Sequence, residues 1–171
     1  MKKVILMALL LVPMSILAQK FGHFDSAEIM QAMPEYTTAQ NEIQQLQTQY
    51  EADLKRMQDE FNRKYTDFQK EEASLLENVK QRRLAELQDL DARIRQNYQD
   101  NMKSIQDFQQ QKIQAITEKM LAAIKSVGDE GGYVYIMDVS AGVPYISTTF
   151  STDVTTQVKA KLGLGALPNK L

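Results

Sequence analysis

Apolar residues recur along most of this chain in steps of three, four and four. In one stretch the stripe runs Ile43, Leu46, Tyr50, Leu54, Met57, Phe61, Tyr65, Phe68, Glu72, Leu76, Val79, and only Glu72 breaks the apolar set. Further on, Ile94, Ile105, Ile116 and Val127 stand eleven apart, as do Met102, Ile113 and Ile124, and Tyr98, Gln109 and Met120. Eleven residues over three turns is a helical period close to that of a straight helix, distinct from the heptads of a left-handed supercoil. No Gly or Pro occurs in the 93 residues from Glu35 to Val127. One helix of that length would reach ~140 Å, and two antiparallel halves ~70 Å. Matching stripes in both halves predict that the halves pack on each other. The reversal is expected where the stripes lose phase, at about residues 76–84, with Asn78 as the turn former.

The flanks carry a different pattern. Lys20–Asp25 predicts a short strand, and Asp25-Ser26-Ala27-Glu28 reads as a capping box opening a short helix that Pro34 closes or re-aims. Gly128 and Gly131-Gly132 are expected to end the long helical region after Val127. Tyr133–Val139 predicts a strand, Ser140-Ala141-Gly142 a turn, and Val143–Phe150 a second strand. Ser151-Thr152-Asp153 is expected to cap a last helix bearing Val154, Val158 and Leu162. The fold class that follows is α+β and predominantly helical, with a long antiparallel helical hairpin on a small β-rich base. The hairpin takes residues 35–127, and the base takes 19–34 and 128–171. Such a base is too small for a secure core of its own, so self-association is expected. Phe21, Tyr133, Tyr135 and Ile136 are the candidate oligomerisation residues.

The N-terminus changes the picture of where the chain works. Lys2 and Lys3 precede an apolar run from Val4 to Val12, and Ala18 precedes Gln19. That order predicts a secretory signal peptide over residues 1–18, too short to span a bilayer. Of 20 Lys and Arg, removal of Lys2 and Lys3 leaves 18 against 22 acidic residues, a net charge of −4. Mild acidity argues against a general nucleic-acid binder. With no cysteine, disulfides, thiol catalysis and cysteine-based metal sites are excluded.

Candidate chemistry is sparse. His23 is the sole histidine, so a histidine metal pair is excluded, and Asp25 and Ser26 lie too close in sequence to converge on it as a triad. The glycines from 128 to 132 lack the spacing of a phosphate loop. No enzyme activity, metal or cofactor is expected. Lys80, Arg82 and Arg83 form a basic cluster near the tip, a candidate contact for an anionic membrane surface. The hairpin has more apolar and aromatic side chains than one narrow seam requires. Leu75, Leu90 and Phe108 are therefore expected to stay partly uncovered and to serve as client-binding positions.

Three segments together resemble the Skp/OmpH-like family of periplasmic chaperones. They are Lys20-Phe21-Gly22-His23-Phe24-Asp25-Ser26, the Gly/Pro-free stretch, and Gly132-Tyr133-Val134-Tyr135-Ile136-Met137-Asp138-Val139-Ser140 leading into Val143-Pro144-Tyr145-Ile146-Ser147. The resemblance covers nearly all of the chain after the signal peptide. It implies a homotrimer whose hairpins surround a cavity that holds unfolded outer-membrane proteins in the periplasm without ATP. The best-known members are strongly basic, whereas this chain is acidic, so no lipopolysaccharide site is carried over. The competing expectation is a structural coiled-coil spacer or adaptor in the cell envelope.

Overall fold

The computed structural model describes residues 19–165. The expected signal peptide lies outside them. The elements run β1 (Lys20–Phe24), α1 (Ser26–Ala32), α2 (Pro34–Glu71), a 3₁₀ turn (Glu72–Ser74), α3 (Glu77–Gly131), β2 (Tyr133–Asp138), β3 (Ser151–Asp153) and α4 (Thr155–Lys161). The predominantly helical α+β class and the antiparallel pairing of two long helices hold. The chain divides into two compact units. Pro34–Thr117 forms one, and the described residues on either side of it form the other.

In the first unit α2 and α3 run antiparallel. Tyr50 Oη lies 3.0 Å from Ser104 Oγ, Glu42 pairs with Lys112 at 2.6 Å, and Lys64 pairs with Glu86. Nearer the turn Glu71 pairs with Arg83 at 2.8 Å and Glu72 with Lys80 at 2.6 Å. Every one of these pairs is centred within one residue of Leu76, as a simple hairpin requires. The turn itself spans 72–76, earlier than the expected 76–84. Ser74 Oγ donates to the Glu71 carbonyl at 2.8 Å, and Leu75 is extended at φ −77, ψ 143. A hydroxyl that bonds back to the chain competes with the helix ladder, so the break falls at Ser74 while Asn78 stays helical. Lys64 takes the seam place expected of Tyr65, which is exposed.

The second unit is built on a three-stranded, all-parallel sheet of order β2-β1-β3. Asp25 caps α1, its Oδ1 accepting from Glu28 N at 3.0 Å. Met33 is extended because it precedes Pro34, which then serves as the first residue of α2. The helix α3 continues past Gly128 to Gly131, four residues beyond its expected end. Gly132, at φ +64, supplies the left-handed residue that stops it. Lys20 Nζ donates to the Gly131 carbonyl at 3.1 Å. The expected strand 143–150 is not formed; the third strand is Ser151–Asp153. Ser147 Oγ accepts from Thr149 N at 3.3 Å and Phe150 N at 3.2 Å, a local turn that displaces strand pairing. Asp153 Oδ1 then accepts from Thr155 N at 2.9 Å and opens α4.

One face of this sheet is packed. Phe24, Ile29, Met33, Val154 and Val158 are buried there, with Met120, Ala123 and Val127 from the end of α3. Lys159 reaches from α4 to Glu28 of α1 at 2.6 Å.

Candidate functional site

The chemistry of this chain lies in two surfaces, one in each unit. The first is the other face of the sheet. Register pairs Phe21 with Tyr135 and His23 with Met137. The rings of Phe21 and Tyr135 lie 4.8 Å apart. Tyr135 (52% exposed), Met137, Tyr145 and Phe150 are exposed. A shallow cavity of about 170 Å³ lies among Phe21, Tyr135, Met137, Tyr145 and Phe150. His23 Nδ1 is 2.8 Å from Ser151 Oγ on this face.

The four sequence-derived oligomerisation residues do not share a face. Lys20 pairs with Tyr133 but Phe21 pairs with Tyr135, so Val134 is an extra residue in β2. Such a bulge turns the preceding side chain over. Tyr133 and Ile136 therefore lie on the packed side. A Cβ on Gly22 would come within 3.2 Å of both side chains, and one on Gly131 would stand 2.3 Å from the Tyr133 ring. Phe21 and Tyr135 remain on the open side. The bulge has no signature in the sequence, since Tyr133, Val134 and Tyr135 are all good strand residues.

Two carboxylates, half-buried Asp138 and exposed Asp153, hold turns in this unit. Burial works to raise the Asp138 pKa, but hydrogen bonds from Ser26 and Ser140 outweigh it and hold the carboxyl below its ordinary value. Asp138 Oδ1 accepts from Ser26 N at 3.2 Å, Ser140 N at 3.0 Å and Ser140 Oγ at 2.8 Å. Asp153 is also held low, first by the Thr155 side chain, with His23 adding a smaller effect. Each carboxylate serves as a hydrogen-bond hub for a turn, and the described residues contain no cluster fit to hold a metal.

The second surface is the hairpin. Leu90 is 3% exposed, packed into the seam with Phe68 and Leu87 also buried nearby in the unit. Its expected partial exposure is therefore corrected: Leu90 stands three residues after buried Leu87 and four before half-buried Ile94, on the inward face of α3. Leu75 and Phe108 are half-buried, as expected. Lys112 Nζ stands 4.9 Å over the Phe108 ring while also pairing with Glu42. The three positions do not converge: Leu90 and Phe108 are ~27 Å apart along α3 at 1.5 Å per residue.

Some residues that the period places on the stripe are exposed. Tyr98 is 55% and Met102 53% exposed, while Asn97 and Asn101 beside them are half-covered. Tyr65 and Leu84 are exposed too, and Leu76 at the turn is 73% exposed. The basic tip residues are largely neutralised. Glu72 raises the Lys80 pKa through its hydrogen bond and charge, and Arg83 pairs with Glu71. Lys64 holds Glu86 below the usual carboxylate range, with Arg82 and Arg83 contributing.

The family model for outer membrane protein (OmpH-like) matches residues 20–162. The chain belongs to the OmpH-like family. Its fold is similar to the crystal structure of a candidate OmpH-like outer membrane chaperone from Caulobacter crescentus CB15, with a TM-score of 0.73 at 14% identity. That match covers 84% of this chain and 83% of the other. No curated protein matches. Among the described residues, no helix is long and apolar enough to cross a membrane.

Proposed function

We propose that this OmpH-like chain is an ATP-independent holdase. It acts in the periplasm after signal-peptide removal, keeping unfolded outer-membrane proteins from aggregating. The observation that carries this reading is the placement of Tyr98 and Met102 in solvent while asparagines occupy the seam beside them. A hairpin selected only as a rod would place its apolar side chains the other way round. Many contacts of ~1 kcal/mol or less, spread over Tyr65, Leu75, Leu84, Tyr98, Met102 and Phe108, add up to useful affinity without nucleotide when several engage one client. Salt-bridged charges between them keep the empty surface soluble.

The working unit is a homotrimer joined through the open sheet face. Parallel sheets are almost always covered on both sides, and here the described residues bury one face while Tyr135 and Met137 on the other stay exposed. Phe21 and Tyr135 head the contact. A spacer role is separated from holding by light scattering: a holdase at molar excess suppresses aggregation of an unfolded β-barrel protein diluted from urea, and a spacer leaves it unchanged.

A further inference from the structure

Between Ile94 and Ile105, α3 has two equivalent ways to cross eleven residues. One track runs through Asn97 and Asn101 in steps of three, four and four. The other runs through Tyr98 and Met102 in steps of four, four and three. Both fit the same helical period and share the same isoleucines at their ends. The structure seats the polar track: Asn97 and Asn101 are half-buried, and Asn101 Nδ2 donates to Asn97 Oδ1 at 2.9 Å. The apolar track lies exposed beside it.

Nothing at this level locks the choice. From Leu46 to Phe61 on α2 and from Ile94 to Ile113 on α3, no residue is fully buried. Interlocked core packing, which would resist rotation, is confined to the ends of the unit at Ala39 and Ile116 and at Phe68, Leu87 and Leu90. Each track also has its own compensation. The polar one keeps the Asn97–Asn101 bond and the Tyr50–Ser104 hydroxyl contact. The apolar one would remove a tyrosine ring and a thioether from water. At 3.6 residues per turn neighbouring side chains stand about 100° apart, so a local twist of that size exchanges them.

We infer that the middle of α3 is a two-position element. In the position seen here, Tyr98 and Met102 face solvent. In the other they are sheathed against α2, and Asn97 and Asn101 turn to water. Its use, hiding the holding surface of an empty chaperone from other empty chaperones, rests on the proposed function. The two positions themselves do not, and they are tested without any client.

The chain has no cysteine, so single engineered thiols report accessibility without background. Met102→Cys and the exposed reference Lys103→Cys are timed against a maleimide, with circular dichroism confirming helix in each. Exchange between positions makes Met102→Cys react several-fold more slowly than Lys103→Cys. Adding Asn97→Leu renders the seated track more apolar and favours the position seen here, so the thiol at 102 then reacts as fast as the reference. Equal rates for the two single variants, or a rate at 102 that Asn97→Leu does not raise, overturn the inference.

Discussion

At the scale of single residues, Asp138 shows how little of this chain's polar chemistry is catalytic. Its carboxylate gathers three donors from Ser26 and Ser140 and ties the start of α1 to the end of β2. Because its folded pKa is lowered, the stability it contributes is fully present above the unfolded Asp value of ~3.9 and is lost as pH falls through the folded value. Thermal melts should therefore show the parent losing stability below about pH 4. Asp138→Asn should melt lower at pH 7 and lose less on acidification; equal acid sensitivity in both would exclude Asp138 from the effect. Leu90 makes the complementary point. Buried at 3% exposure, it should cost about 2–5 kcal/mol as Leu90→Ala in denaturant unfolding. A cost near zero would restore it to the surface the sequence suggested.

At the scale of elements, what was legible followed period and punctuation. The 3-4-4 spacing marked both long helices, Asp25 marked the start of α1, and the aromatic run at Tyr133 marked β2. What escaped was decided by single hydroxyls and one extra residue. Ser74 moved the hairpin turn forward, Ser147 replaced an expected strand with a turn, and the bulge at Val134 split the predicted oligomerisation residues between two faces. The seam was similarly ambiguous, since Asn97 and Tyr98 both satisfy the period. Gly132 gives the element-scale prediction: at φ +64 it ends α3, and Gly132→Ala should destabilise the protein by about 1 kcal/mol without changing assembly. An unchanged midpoint in denaturant would show that the cap tolerates a side chain.

At the scale of the whole molecule, the two faces of the sheet make opposite predictions. Ile136 packs toward Gly22 and Gly128, so Ile136→Asp buries an unpaired charge and should unfold the sheet unit. Tyr135→Lys lies on the open face and should leave the fold intact while lowering the solution mass to that of a monomer, if the proposed homotrimer is joined there. If Tyr135→Lys keeps the parent mass at all concentrations, assembly does not use this face. The client surface is the central claim, and one measurement reaches it most directly: light scattering of an unfolded β-barrel protein in the presence of Tyr98→Ser/Met102→Ser. Both side chains are exposed, so helix content and mass should match the parent while suppression of aggregation drops several-fold. A double variant that is folded, assembled and as protective as the parent would contradict the account.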